Sequence, residues 1–304
     1  MNSNPTSVDT FNSHRPLLFS IAYRMLGSAA DAEDILQEAY LRWERASAED
    51  VRSPQAYLTT IVTRLSIDQL RKEKSRRETY VGPWLPEPLM TSYTPNLAAN
   101  IELAESLSMA FLLLLETLAP VERAVFLLRE VFSYEYDEIA HIVGKSESNC
   151  RQIVRRAQAH LRDRRPRFPV SREHQEKMMT SFLTACANGD MGALVNLLTT
   201  DIVFISDGGG KAQAALNPIY GPDKVIRFLL AVVRKLAAIP NTVNYITELN
   251  GQLAVITYTN DRPISTLTLS YKGDRISQIE SVLNPDKLHQ LPTPPTSPPL
   301  YRLG

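Results

Sequence analysis

Apolar residues recur at helical spacing in the first part of the chain, and this pattern predicts an all-helical domain over residues 11–77. Asp31 and Asp34 suit the first turn of one of its helices, because the helix dipole favours negative charge there. Farther on, Ser53 is placed to cap a later helix and Pro54 to occupy its first position. The inward face of the helix that opens at Asp31 comprises Ala32, Ile35, Leu36, Ala39 and Trp43.

Prolines then interrupt the helical pattern between residues 78 and 103. They exclude a long regular element, because proline lacks the backbone N–H that a helix or a central strand requires. Disordered linkers usually lack large apolar residues, so Trp84 and Leu85 indicate that this linker docks on another part of the protein. A second proline-rich segment, residues 291–304, predicts an extended or disordered tail.

Helical spacing returns in residues 104–167, where it predicts a helix-turn-helix. Gly144 is placed to end the first of the two helices in a left-handed turn, and Ser146 to cap the second. Between Lys145 and Arg167 there are eight basic residues and two acidic ones, which attracts phosphate. The packed face of the second helix comprises Cys150, Ile153, Val154, Ala157 and Leu161, and its polar face Arg151, Gln152, Arg155, Arg156 and Arg162. One packed and one cationic face are typical of a DNA-recognition helix; the alternative is a solvated basic helix in an ordinary bundle.

The third part of the chain, residues 172–290, changes structural class. A helix over about 172–188 and a short helix after it precede a strand at Ile202–Ile205, and a further helix is predicted at 222–238. Four strand-like runs follow, separated by turn sequences such as Asn250-Gly251. The four runs are 242–249, 253–259, 264–271 and 275–282. This order predicts an α+β domain with a curved antiparallel sheet.

Composition adds limits to this picture. The 33 basic and 33 acidic residues cancel, but residues 64–77 hold six basic against two acidic residues, and residues 9–50 hold eight acidic against four basic ones. One surface is therefore suited to DNA and another to a basic protein partner. The two cysteines, Cys150 and Cys186, lack metal-ligand neighbours, which argues against a disulfide scaffold and a zinc site. The run from Met109 to Leu115 is too short to span a bilayer, so we expect a cytoplasmic protein without a metal or cofactor.

Several strings resemble a bacterial family, the extracytoplasmic-function (ECF) sigma factors. They are DAEDILQEAYLRW at 31–43, SPQAYLTTIVTRLSIDQLRK at 53–72 and the helix-turn-helix at 121–162. WLPEP at 84–88, DGGGK at 207–211 and NPDKL at 284–288 are similar to the subgroup with a fused SnoaL-like C-terminal domain. The resemblance implies two all-α sigma domains, the second a helix-turn-helix, followed by an α+β NTF2/SnoaL-like cone domain. It also implies promoter recognition as a dissociable subunit of RNA polymerase.

The resemblance implies a polymerase-binding role for the acidic face of the helix that opens at Asp31. In such sigma factors this helix meets basic clamp helices of the β′ subunit, and the β flap of core polymerase is a further expected partner. The residues concerned here are Asp31, Glu33, Asp34, Gln37 and Glu38. The alternative for these side chains is an ordinary solvated helix face.

DNA contacts are implied for both sigma domains. The helix after Pro54 is expected to meet the −10 element, where a base leaves the stack as the strands open. Its candidates are Arg64, Asp68, Arg71 and Lys72, with Arg76 and Arg77 as backbone contacts. The family often has Asn around position 64, where this chain has arginine. The −35 candidates are Ser148, Arg151, Gln152 and Arg155, with Arg156 and Arg162 placed to touch phosphate.

The third domain is expected to regulate the sigma domains in cis, by contacting the linker or the first domain. The proposed contacts are Trp84, Leu85 and Pro86 of the linker, Asp207, Gly208, Gly209, Gly210 and Lys211 of the glycine turn, and Asn284, Pro285, Asp286 and Lys287. Asp207 itself is interpreted as a turn residue. DGGGK lacks the spacing of a phosphate-binding loop, so nucleotide hydrolysis is not expected.

Two classes of function remain open from the sequence. The first is a self-regulated transcription initiation factor that is not an enzyme. The second is a DNA-binding protein fused to a small-molecule-binding or cyclase/isomerase-like enzyme domain, because cone folds include cyclases and isomerases. Acid/base chemistry requires a tuned Asp, Glu or His inside the pocket, and none is placed there by the sequence. A small ligand in the pocket is left open.

Overall fold

The computed structural model describes residues 7–46, 51, 53–91, 106–162, 171–295 and 301–302. It divides into two compact units. The first contains Met1–Thr79 and Thr94–Arg165, and the second contains Tyr80–Tyr93 and Pro166–Gly304. Part of the segment predicted to be a separate linker therefore packs with the C-terminal unit. Each unit is described by itself.

The first unit begins with three helices, which we call the N-terminal helix group: α1 (Ser7–Leu26), α2 (Ala29–Arg45) and α3 (Pro54–Glu78). Ser28 caps the N-terminus of α2: its hydroxyl accepts a hydrogen bond from the backbone N–H of Asp31 at 3.2 Å. The helix therefore begins before Asp31. All five apolar residues predicted to face inward on α2 are buried. The α1 helix packs along both α2 and α3, which places the core of the group between the three helices.

Four further helices form the second helix group: α4 (Met109–Leu115), α5 (Pro120–Glu130), α6 (Tyr136–Val143) and α7 (Glu147–Arg162). Gly144 ends α6 at a φ of 66°, in the left-handed region predicted for it. The Ser146 hydroxyl accepts a bond from the backbone N–H of Asn149 at 3.3 Å, so the predicted cap of α7 is present. The apolar stripe of α7 is buried against α5 and α6, and the helix-turn-helix is confirmed.

The second unit contains α8 (Arg172–Asn188), α9 (Met191–Leu197), α10 (Pro222–Ala237), the short α11 (Pro285–Leu288) and a seven-stranded sheet. The strands are β1 (Leu198–Asp207), β2 (Ile219–Tyr220), β3 (Thr242–Leu249), β4 (Gln252–Thr259), β5 (Arg262–Lys272), β6 (Arg275–Val282) and β7 (Tyr301–Arg302). Their order is β2-β1-β6-β5-β4-β3-β7. Buried residues of α8, α10 and the sheet form one apolar core. We call this unit, without residues 80–93, the cone domain.

One prediction about the sheet requires correction. The β1–β6 pair is parallel, whereas the sequence predicted an antiparallel sheet. These two strands are far apart in the chain and are joined by no hairpin, so no local turn sequence sets their direction. In the predicted tail, residues 301–302 pair with β3 as β7, while residues 296–300 lie outside the described part.

Candidate nucleic-acid interface and linker site

The polar face of α7 presents an exposed row of candidate DNA contacts. Ser148, Gln152, Arg155 and Arg156 are all exposed, as the helix-turn-helix interpretation requires. Arg151 is also exposed, pairs with Glu147 at 3.2 Å and lies over the Tyr136 ring at 4.4 Å. These contacts keep its guanidinium near the start of α7, where base-reading side chains of such helices stand. The side chain of Arg162 lies outside the described residues.

On α3, the four candidates for the −10 element differ in what they contact. Asp68 and Arg71 are exposed and pair with each other at 3.0 Å, and Lys72 is exposed. Arg64 instead reaches the second helix group: its Nε donates to the Ile142 carbonyl at 2.8 Å and its Nη2 to the His141 carbonyl at 3.0 Å. In this conformation Arg64 therefore binds the C-terminal end of α6 rather than presenting a free guanidinium to DNA. The side chains of Arg76 and Arg77 lie outside the described residues.

The polar face of α2 carries the candidate polymerase contacts. Asp34, Gln37 and Glu38 are exposed, and Asp31 and Glu33 are half-buried. Glu33 pairs with Arg15 of α1 at 2.5 Å, and Glu38 pairs with Arg42 at 2.8 Å. Both are surface pairs, which contribute little to stability. The face is accessible and acidic, as a contact to basic helices requires.

Two buried arginines join the helix groups of the first unit. Arg24 of α1 is 1% exposed and donates from Nε to the Ser106 hydroxyl at 3.0 Å. Arg123 of α5 is buried and donates from Nη1 to the Met25 carbonyl and to Glu116, both at 2.7 Å. Burial lowers the pKa of Arg24 to about 9 and that of Arg123 to about 10, because a charged group loses hydration there.

Sequence reasoning missed both arginines. The available signal was a charged residue inside an apolar helical run, as in SIAYRML at residues 20–26. Such a residue is rarely buried without a partner. A related contact joins the hydroxyls of Thr59 on α3 and Tyr134 before α6 at 3.0 Å.

In the second unit, the three short motifs meet at the carboxylate of Asp207. This residue is fully buried at the end of β1, so its interpretation as a turn residue is wrong. Its Oδ1 accepts from the Tyr80 hydroxyl at 2.6 Å, and its Oδ2 accepts from the Leu85 backbone N–H at 2.9 Å and from Lys287 Nζ at 2.7 Å. A buried charge is tolerated when it is paired and hydrogen-bonded in this way.

Lys287 is the second centre of this linker site. Besides Asp207, its ammonium group donates to the Leu85 carbonyl and lies 4.2 Å from the centroid of the Trp84 ring. It lies 5.2 Å from the Tyr80 ring. A cation enclosed by two aromatic faces gains cation–π energy, more so when it is shielded from water. Lys287 therefore holds the linker through charge, hydrogen bonding and ring contact together.

The glycine turn after Asp207 allows the close approach of the other two motifs. A Cβ on Gly209, whose φ is 57°, would overlap the Asn284 side chain, and a Cβ on Gly208 would overlap the Ala212 carbonyl. Asn284 uses the space: its Nδ2 donates to the Tyr80 hydroxyl at 2.9 Å, and its Oδ1 caps α11. The remaining residues of these motifs complete the site: Gly210 lies against Val81, Lys211 pairs with Asp286, Pro285 begins α11, and Leu85 and Pro86 are buried.

Beyond these motifs, the linker also pairs with the β3–β4 hairpin. The Leu89 backbone N–H donates to Asn250 Oδ1 at 3.0 Å, and the Asn250 backbone N–H donates back to the Leu89 carbonyl at 2.8 Å. The Thr91 hydroxyl donates to Glu248 at 2.9 Å. Residues 80–91, which we call the held linker, are thus fixed to the cone domain at both ends. No sequence pattern indicates this role for Asn250, because Asn-Gly is an ordinary hairpin turn.

The cone domain also encloses a cavity of about 150 Å³ between α8, α10 and the sheet. Its walls are mostly apolar, with Asn244 and Thr257 among the polar residues. Across the described ranges, no set of three or more His, Cys, Asp or Glu side chains is arranged to hold a metal ion. Within the same ranges, none of the helices is both long and apolar enough to cross a membrane.

Comparison with known proteins accords with this geometry. Residues 10–76 match the family Sigma-70 region 2, and residues 108–161 match Sigma-70, region 4. The chain is 36% identical to the ECF RNA polymerase sigma factor SigJ of Mycobacterium tuberculosis over 92% of each chain. It is 30% identical to the probable ECF sigma factor SigI of the same species, over 92% of this chain and 94% of SigI. The crystal structure of M. tuberculosis SigJ matches with a TM-score of 0.75 at 33% identity, covering 94% of this chain and 100% of that one.

Proposed function

The chain belongs to the ECF RNA polymerase sigma factors, and we propose that the cone domain regulates its two sigma domains in cis by holding the linker between them. Sigma factors of this type direct RNA polymerase to promoters and initiate transcription. On this proposal, the conformation described above is a closed state, in which the two helix groups are in contact and the linker is held. Both the position of Arg64 and the path of the held linker then oppose promoter binding.

The observation that carries the closed-state proposal is the direct contact of α3 with α6 through Arg64. The −10 and −35 elements lie ~25 base pairs apart, which is about 85 Å along B-DNA at 34–36 Å per turn. The α3 helix and the helix-turn-helix cannot reach both elements while they touch each other. Promoter binding therefore requires the two helix groups to separate, and the hydrogen bonds of Arg64 to break.

Linker length sets how far the groups can separate. Residues 80–105 comprise 26 positions, which span at most about 90 Å when fully extended. That reach leaves little slack for a span of about 85 Å between promoter elements. Residues 80–91 are held on the cone domain along a bent path, with Gly82 at a φ of 82°. Holding them shortens the usable linker, and releasing them restores it.

For the open state, we assign the exposed groups as the sequence suggested. Ser148, Arg151, Gln152 and Arg155 on α7 approach the −35 element, and Arg156 contacts phosphate. Asp68, Arg71 and Lys72 on α3, with Arg64 once released and with Arg76 and Arg77, approach the −10 element. The acidic face of α2 binds the β′ clamp of core polymerase, and the second helix group binds the β flap. The protein acts where RNA polymerase acts, in the cytoplasm.

The test is run-off transcription with core polymerase, using Asp207→Asn. This change removes the negative charge that binds Lys287 but keeps the size and shape of the side chain at position 207. The linker should therefore be released, and transcription should rise several-fold. Asp201→Asn is the matched control, because Asp201 lies on the same strand but is exposed and pairs with Lys272 at 3.2 Å, away from the linker. Equal transcription from Asp207→Asn, Asp201→Asn and the unchanged chain contradicts regulation through the linker site.

A further inference from the structure

The cavity of the cone domain has a lining that restricts what it can hold. Helices α8 and α10 supply apolar walls that include Phe182, Leu229 and Val233, and the sheet supplies Phe204 and Val255. Its volume of about 150 Å³ is that of an engineered apolar cavity that stays dry and binds benzene. The space thus suits a compact molecule of about six to ten non-hydrogen atoms.

One buried amide is aimed into this apolar space. Asn244 on β3 is 8% exposed, and its Oδ1 accepts a bond from the Thr257 hydroxyl at 2.8 Å. Within the described part of the chain, the other amide atom, Nδ2, has no hydrogen-bond partner. Since Asn244 lines the cavity, this N–H group can donate to an acceptor atom on a bound molecule.

Charged molecules are excluded by the same lining. Among the described residues that line the cavity, none carries a charge. The one ionisable group in that described set is the Cys186 thiol, and burial raises its pKa to about 12, so it stays neutral. An ion entering this space would lose its hydration without a counter-charge. No lining residue in the described part of the chain can exchange protons near neutral pH, so this lining binds a molecule without acid/base chemistry.

We propose that this cavity is a binding site for an uncharged, mainly apolar molecule with one hydrogen-bond acceptor, such as a carbonyl, held by Asn244. The mouth lies where α8 and α10 end, since Ala187 is exposed and Leu236 half-buried there. A molecule of this kind needs no charged group for entry. The cone domain is then a sensor of small neutral compounds.

The cavity wall continues directly into the linker site. Ser281 and Leu283 line the cavity, and the Leu283 and Asn284 backbone N–H groups donate to the Asp207 carbonyl at 2.7 and 2.9 Å. Asn284 in turn donates to the Tyr80 hydroxyl. The cavity is formed while the linker is held, so a molecule that fills it favours the held state. This coupling rests on the proposed function, and it predicts that the bound molecule lowers transcription.

Acetophenone, a neutral ketone, and benzoate, its charged counterpart of equal size, are the probes for the site. With the full chain, acetophenone at millimolar concentration should raise the melting temperature and give a calorimetric binding signal, and benzoate should give neither. Asn244→Leu should weaken acetophenone binding about tenfold and leave binding of ethylbenzene, which lacks the carbonyl, unchanged. Ethylbenzene binding also shows that the variant is folded. Absence of acetophenone binding, or equal binding of benzoate, overturns the proposed site.

Transcription tests the coupling separately. Acetophenone should lower run-off transcription by the unchanged chain several-fold and should have no effect on the Asp207→Asn variant, although that variant still binds it. Binding without any change in transcription overturns the coupling but leaves the site. If Asp207→Asn alone does not raise transcription, the cis-regulatory function fails instead, whatever the probes do.

Discussion

Buried ionisable residues of this chain differ in how their charge is compensated. Asp207 has Lys287, and Arg123 has Glu116 and a backbone carbonyl. Glu280 on β6 is 1% exposed and accepts hydrogen bonds from Thr268, Ser270 and Gln278, all of them neutral. Neutral donors only partly replace the hydration of a carboxylate. Burial therefore raises the pKa of Glu280 to about 7, which makes the cone domain sensitive to pH.

The stability of the cone domain should fall as pH rises from about 4.5 to about 7. Below that window Glu280 is protonated in both states. Within it the unfolded chain releases the proton while the folded protein retains it, so the free energy of unfolding decreases with pH. The total loss is on the order of 3 kcal/mol, and it should not grow above pH 7. The free energy of unfolding at each pH is measured by urea denaturation, with hydrogen exchange of the β6 amides as the local probe.

Glu280→Gln is the control for this pH dependence, because it keeps the shape and removes the ionisation. The variant should unfold with nearly the same free energy at pH 5 and pH 8, and it should be more stable than the unchanged chain at pH 8. A variant that keeps the full pH dependence would assign the effect to another group.

At the scale of elements, the helices were predictable and their mutual packing was not. Gly144 and Ser146 mark the turn between α6 and α7 by local chemistry alone, so the sequence located the helix-turn-helix correctly. The pairing of Arg64 with the end of α6 joins residues 78 positions apart, and no local pattern encodes it. For the same reason the parallel β1–β6 pair and the burial of Asp207 escaped prediction, whereas the hairpins, whose turns are local, did not.

The contact of α3 with α6 leads to a prediction about the closed state. Arg64→Ala removes two hydrogen bonds from a charged donor to carbonyls at a helix end, each worth about 1.5–3 kcal/mol when shielded and less at an exposed site. The helix groups should separate more often. A donor and an acceptor dye on cysteines introduced at the exposed positions Arg45 and His160 measure this separation. Energy transfer between them should be lower in the variant. The native Cys150 and Cys186 are buried and do not compete for the dyes.

Arg71→Ala is the matched control for this measurement. Arg71 lies two turns farther along the same helix, is exposed and pairs with Asp68, so its loss removes a similar charge without freeing α6. Equal energy transfer in Arg64→Ala and Arg71→Ala would mean that Arg64 does not hold the helix groups together.

At the scale of the whole molecule, the linker connects the two functions of the chain. Its residues 80–91 belong to the second unit, while the helices on either side of the linker belong to the first unit. The motif resemblance led us to expect that the third domain contacts the linker or the first domain, and Trp84, Asp207 and Lys287 do lie together. On the proposed function, the cone domain controls the reach of the linker.

Shortening the linker should therefore reduce transcription, and releasing it from the cone domain should compensate. Deleting residues 93–98 removes up to about 20 Å of reach, nearly a quarter of the distance of about 85 Å between promoter elements. Run-off transcription by the deletion variant should fall more than tenfold, while core polymerase binding through α2 is retained. Adding Asp207→Asn to the deletion should recover a large part of the loss, because residues 80–91 then extend freely. If the two changes act independently, so that Asp207→Asn raises transcription by the same factor with either linker length, the cone domain does not act through linker reach.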